Sequence, residues 1–132
     1  TTIDELMNYK DILDKTVIDF KYIVNIIIPN LFSILRQNKR LTDKDGIEKA
    51  LSYFLYCTKD KIFEINSDGS VLEHSQYATI GCGEELVRGY FDTLNLNDIT
   101  KEDATKFIND AIILACKNDI YINDKIDIFY IE

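Results

Sequence analysis

From Phe20 onward, apolar residues return with helical spacing: Ile23, Val24, Ile27, Ile28, Leu31, Ile34 and Leu35 follow at i, i+3, i+4 and i+7. This is the strongest periodic signal in the chain, and it predicts a helix buried along one face. Asp19 is placed to cap that helix, and Arg36, Lys39 and Arg40 put positive charge where its last carbonyls are exposed. Pro29 lies inside the pattern, removes one backbone donor and predicts a kink. Upstream, Thr2 and Glu5 form a capping box for a shorter amphipathic helix carrying Ile3, Leu6, Met7, Ile12 and Leu13 and ending near Asp14 and Lys15. The polar stretch Asn38–Gly46 is expected to be a loop.

Beyond that loop the period changes. Ala50–Cys57 is almost continuously apolar and aromatic, which predicts a strand covered on both faces. After a turn at Thr58–Lys61, Ile62–Ile65 predicts a second strand and hence a hairpin. Asn66–Gly69 is a strong turn signal, since Asp-Gly favours positive φ. Ser70–Glu73 follows as a third strand, with a loop over His74–Gln76. Tyr77–Leu94 then reads as strand, glycine turn and helix: Tyr77–Ile80 is apolar, Gly81-Cys82-Gly83 breaks the run, and Leu86, Val87, Tyr90, Phe91 and Leu94 resume at helical spacing. Glu84 and Glu85 fall in the first helical turn, where negative charge complements free N–H groups. Thr100 with Asp103 resembles a capping box, and Ala104, Phe107, Ile108, Ala111, Ile112 and Ala115 line one face of a long helix ending near Lys117 and Asn118. Ile126–Ile131 predicts a closing strand, apolar on both faces. The order is helix, helix, four strands, helix, helix, strand, with hairpin-like joints. It predicts an antiparallel sheet with helices, a single α+β domain over residues 1–132.

Composition narrows the function. The net charge of −8 argues against a nucleic-acid groove, which needs clustered Lys and Arg. Cys57, Cys82 and Cys116 form no CxxC pair, and the single histidine, His74, has no neighbour at metal-ligand spacing. Neither a metal nor another cofactor is therefore expected, and the thiols read as reduced and partly buried in a cytoplasmic protein. The most apolar run, Tyr22–Leu35, is too short to span a bilayer and is interrupted by Asn25, Pro29, Asn30 and Ser33, so no membrane partner is expected. No signal peptide is read at the N terminus, where Asp4 and Glu5 stand in place of an apolar stretch.

Four local motifs, in this order and spacing, carry a resemblance to the second half of proteasome-type β-subunits, most closely HslV-type peptidases and their shorter phage and bacterial relatives. Glu64–Leu72 resembles a family hairpin, and Tyr77–Gly83 resembles a strand-to-helix turn of the form Y-A-x-I-G-S-G. Ala111–Ala115 followed by Asp119–Asn123 is similar to the family's long helix and the corner after it, and Ile126–Ile131 to its last strand. The resemblance implies a partial αββα sandwich of the N-terminal-nucleophile hydrolase type. It implies threonine peptidase chemistry in a ring-shaped oligomer, with peptide substrates and an unfoldase ATPase partner. In that family the nucleophile is the threonine at the mature N terminus, with its own α-amine as base and an Asp and a Lys on the first strands tuning it. Those catalytic strands have no counterpart ahead of Asp19. Thr1-Thr2 is not expected to replace them, because a helix rather than a glycine-rich hairpin follows at once.

The carried-over supporting positions are Cys82, where the family places a serine hydroxyl, and Asp119, near an acidic residue of archaeal-type relatives. A thiol is a weaker donor than a hydroxyl, and Ile122 stands where a Ser or Thr is expected at the corner. As a nucleophile in its own right Cys82 is opposed by Glu84 and Glu85, which disfavour the thiolate. Gly81-x-Gly83 as a phosphate cradle lacks a third glycine and a lysine. Three functions stay open: the C-terminal part of a threonine peptidase, a non-catalytic scaffold subunit, or an acidic interaction or inhibitor module that matches the family only locally. Because two strands are apolar on both faces, a homo-oligomer or a complementary chain is expected to cover them.

Overall fold

A computed structural model describes residues 19–123 and 125–131. The capping box at Thr2 and Glu5 and the short helix after it lie outside the described residues. From Asp19 the chain is helical to Gln37, in three pieces: α1 (Phe20–Tyr22), a π turn (Ile23–Ile27) and α2 (Ile28–Gln37). Asp19 is the N-cap, its Oδ1 accepting the Tyr22 N–H at 2.8 Å. The irregularity predicted at Pro29 takes the form of the π turn just ahead of it. Pro29 brings no N–H to the ladder, and the Ile28 N–H reaches back five residues to the Ile23 carbonyl. Asn30 Nδ2 adds a bond to the Ile26 carbonyl at 2.7 Å.

Two antiparallel sheets follow. The first pairs β1 (Leu41–Lys44) with β2 (Ile47–Ala50), and the second has the order β3 (Phe54–Cys57), β4 (Ile62–Ile65), β5 (Val71–His74). The register aligns Phe54, Ile65 and Val71 across the second sheet on one face, and Leu55, Glu64 and Leu72 on the other. The first of these faces meets the helix. Ile23, Ile27, Leu31 and Leu35 pack with Ala50, Phe63 and Ile65 in the main core, and Phe54, Tyr56 and Val71 border it. The opposite face is open, with Leu55 37% and Leu72 52% exposed. After β5 come α3 (Glu84–Asp92) and α4 (Lys101–Asn118), which pack on one another. The molecule is thus α+β, with helices and small antiparallel sheets, as the pattern predicts.

Four local expectations are corrected. Residues 38–46 are not simply a loop: β1 and β2 form a hairpin about Asp45 and Gly46, whose φ values of 58° and 76° give the twist a two-residue hairpin needs. Ala50–Cys57 is not one strand. Ala50 ends β2 and bonds through its N–H to the Ser67 carbonyl at 2.6 Å, the chain bends at 51–52, and β3 starts at Phe54. Tyr77–Ile80 is not a paired strand and is held by side chains instead of a ladder. Ile126–Ile131 is also outside both sheets. Both stretches are apolar as read, but among the described residues neither pairs with a strand.

Candidate functional site

The glycine turn organises the site. Gly81 has φ +109°, where a side chain would be strained, and this lets the chain reverse from residue 80 into α3. Gly83 is the N-cap of α3 and has an ordinary negative φ of −97°. It is needed for closeness instead: a Cβ there would lie 2.7 Å from Ile122 Cδ1 and 3.1 Å from Ala115 Cβ. The turn therefore sits directly against α4 and the corner that follows it.

Residues 77–80 are fastened to α3. Thr79 is buried and donates through Oγ1 to the Glu84 carbonyl at 3.1 Å. Tyr77 stacks on Phe91 with ring centroids 5.1 Å apart, and its hydroxyl donates to Asp92 and to the Arg88 carbonyl. The bond to the Asp92 carboxylate holds the Tyr77 phenol above its ordinary range. On the other side, Thr100 caps α4, accepting the Asp103 N–H at 3.1 Å, so the capping motif is present as predicted.

Between the open face of the β3–β5 sheet and the α3–α4 pair lies an apolar slot of about 440 Å³. Leu55 lines it from the sheet; Val87, Phe91, Ile108 and Ile112 line it from the helices, and Cys82 and Ile122 stand at the turn. Its polar content is small, from Thr79, Cys82 and Glu84.

Of the two supporting positions, Cys82 is exposed within the glycine turn and borders the slot. Asp119 is the C-cap of α4 and accepts the Tyr121 N–H at 2.8 Å, so it shapes the corner. Gly83 brings the turn and the corner together through Ile122. Where a Ser or Thr is expected, Ile122 supplies a methyl group packed against backbone, not a hydroxyl. Among the described residues, no group of three or more His, Cys, Asp or Glu is arranged to hold a metal ion. Also among the described residues, no helix is long and apolar enough to cross a membrane.

One pair escaped the sequence reading. His74 on β5 and Glu64 on β4 lie diagonally on the open face, with His74 Nε2 3.6 Å from Glu64 Oε1. That nitrogen is buried with no hydrogen-bond partner, and Glu64 is only 9% exposed. The signal was the strand register, since residues two apart across an antiparallel pair share a face.

Comparison with known proteins gives one family. The proteasome subunit family matches residues 19–131, from the cap of the first described helix through the closing segment. No curated protein matches the chain. The match spans most of the sequence, including the glycine turn, both helices around the slot and the corner after α4, and so the chain belongs to the proteasome subunit family.

Proposed function

We propose that this chain supplies the C-terminal part of a proteasome- or HslV-like threonine peptidase domain, contributing scaffold and assembly surfaces without completing an active site by itself. The observation that carries this reading is the apolar slot between the open face of the β3–β5 sheet and α3–α4. An open sheet face of that kind, with Leu55 lining the slot and Leu72 half-exposed on the same face of the sheet, fits a second sheet layer, because stacked sheets bury apolar faces about 10 Å apart. That layer is the one on which the family carries its threonine, aspartate and lysine. Cys82 and Asp119 would stand beneath it as supporting groups, the thiol offering a weaker donor than a serine hydroxyl. A cytoplasmic setting, a peptide substrate and an unfoldase ATPase partner belong to the same proposal. An acidic module that resembles the family only locally is the weaker reading, because the family match covers residues 19–131.

The test is hydrolysis of fluorogenic peptides by the purified chain, beside Thr1→Ala and Cys82→Ala. Equal background rates in all three are expected. Turnover by the chain that either substitution abolishes would overturn the scaffold reading and place a complete nucleophile within these residues.

A further inference from the structure

The chain carries two Asp-Gly pairs, and the structure holds them differently. In each, the nitrogen after the aspartate belongs to a residue with no Cβ to crowd it, which is the local requirement for succinimide formation. Asp68–Gly69 is fastened. Asp68 Oδ1 accepts the Ser70 N–H at 2.9 Å and the Ser70 hydroxyl at 2.6 Å, and the Gly69 N–H donates to the Asn66 carbonyl at 3.0 Å. A Cβ on Gly69 would lie 3.4 Å from Phe32 Cζ, so this turn rests on a side chain that borders the core. The Ser70 hydroxyl and N–H also keep the Asp68 carboxyl below its ordinary range. Asp45–Gly46 has none of these restraints. Both residues are exposed at the tip of the polar β1–β2 hairpin. Among the described residues the Gly46 N–H has no backbone acceptor, the Asp45 carboxyl has no hydrogen-bond or ion-pair partner, and nothing lies within 4 Å of a Cβ built on Gly46.

We infer that Asp45–Gly46 is a site of spontaneous backbone isomerisation, where aspartate becomes isoaspartate, and that Asp68–Gly69 is protected from the same reaction. The Gly46 nitrogen attacks Asp45 Cγ. A C–N bond forms, and the carboxyl hydroxyl leaves as water with the amide proton, closing a five-membered succinimide ring. Water then adds to either ring carbonyl. Where it cleaves the bond between the Gly46 nitrogen and the original main-chain carbonyl carbon, the chain continues through Cγ and that carbon becomes the free carboxylate. One water is lost and one regained, so mass and net charge are unchanged and no co-reactant is needed. Two features select this pair over the other. Ring closure needs the glycine nitrogen to swing out of place, and the tip of an exposed hairpin opens more readily than a turn with a bound N–H packed on Phe32. A neutral carboxyl expels water whereas a carboxylate does not, so a carboxyl kept ionised into the acid range reacts more slowly. The product lengthens the chain path between Lys44 and Ile47, which the register pairs directly. The two-residue turn then no longer fits, and the hairpin tip opens.

Incubation of the purified chain at pH 6 and 37 °C, in water enriched in heavy oxygen, tests this. Each ring opening writes one heavy oxygen into the peptide that carries the aspartate, and peptide mapping by mass spectrometry locates it. Label and isoaspartate are expected at Asp45 about tenfold faster than at Asp68 in the folded chain. In urea that unfolds the chain, the two rates should come within about twofold of each other, because the same glycine follows both aspartates. Ser70→Ala removes the hydroxyl that holds Asp68 and should raise the rate there severalfold, with the Asp45 rate unchanged. Equal or faster isomerisation at Asp68 in the folded parent, no label at Asp45, a tenfold difference that persists in urea, or an Asp68 rate indifferent to Ser70→Ala overturns the inference. None of these readouts depends on whether the chain hydrolyses peptides.

Discussion

Three glycines in and after the turn illustrate how differently one residue type serves. Gly81 is required by its φ of +109°, with open space where a Cβ would go, so Gly81→Ala should destabilise by about 1–2 kcal/mol through backbone strain alone. Gly83 is required by contact. Gly83→Ala should cost roughly 1–3 kcal/mol as overpacking against Ile122 and Ala115. Adding Ile122→Val removes the Cδ1 atom nearest the new methyl and should recover part of the loss; the same change cannot rescue Gly81→Ala. Gly89 lies mid-helix in α3 with nothing within 4 Å of its would-be Cβ, so Gly89→Ala should stabilise by about 0.5–1 kcal/mol. Urea midpoints of the three single glycine variants, and of the Gly81 and Gly83 variants combined with Ile122→Val, check all of these signs. If Gly81 and Gly83 variants respond alike to Ile122→Val, the division between strain and contact is wrong. The turn itself was legible in the sequence because glycine is the residue such a reversal demands. Which glycine served which need was not, because Gly83 depends on a residue 39 positions away.

At the scale of elements, strong period and local capping were readable, and pairing was not. α2, α3 and α4 follow their apolar stripes, and the Asp19 and Thr100 caps stand where the sequence put them. The β1–β2 hairpin was missed because its strands are polar and exposed, with only Leu41 and Ala50 turned toward the core; the Asp45-Gly46 pair was its one cue. The hairpin is tied to α2 by an exposed ion pair, Arg36 Nη2 to Glu48 Oε2 at 2.6 Å. The hydrogen bond from Arg36 holds the Glu48 carboxyl below its ordinary range. A carboxyl with a depressed folded-state pKa adds stability above its unfolded value and loses it as pH falls through the folded one. Glu48→Gln should therefore be slightly less stable than the parent at pH 7 in low salt. The gap should close below the usual glutamate value of about 4.3, and it should also shrink in high salt because both groups are solvent-exposed. A stability difference that persists unchanged at pH 2 would mean that Glu48 acts through packing and not through charge.

The whole molecule divides along the slot. The main core draws on residues 23–65, centred on Phe63, which has no exposed surface; no residue of α3 or α4 enters that core. The two helices pack on each other, with Ala111 and Ala115 buried, and face the sheet across an apolar gap of about 440 Å³. The sequence made the two-faced strands visible as a demand for another layer. It did not show that the demand would open as a gap between sheet and helices, because that depends on which faces meet. With few apolar contacts across the gap, the helix pair should open at lower free energy than the sheet. Native-state hydrogen exchange should find residues 101–118 losing protection well before 62–65, and urea unfolding followed by helical circular dichroism should show two steps. Phe63→Ala, which empties the centre of the core, should cost about 3–5 kcal/mol and abolish the second step while sparing the first. Equal protection in α4 and β4, with one sharp transition for the parent, would show that the slot is closed in solution and that the helices and sheet fold as one unit.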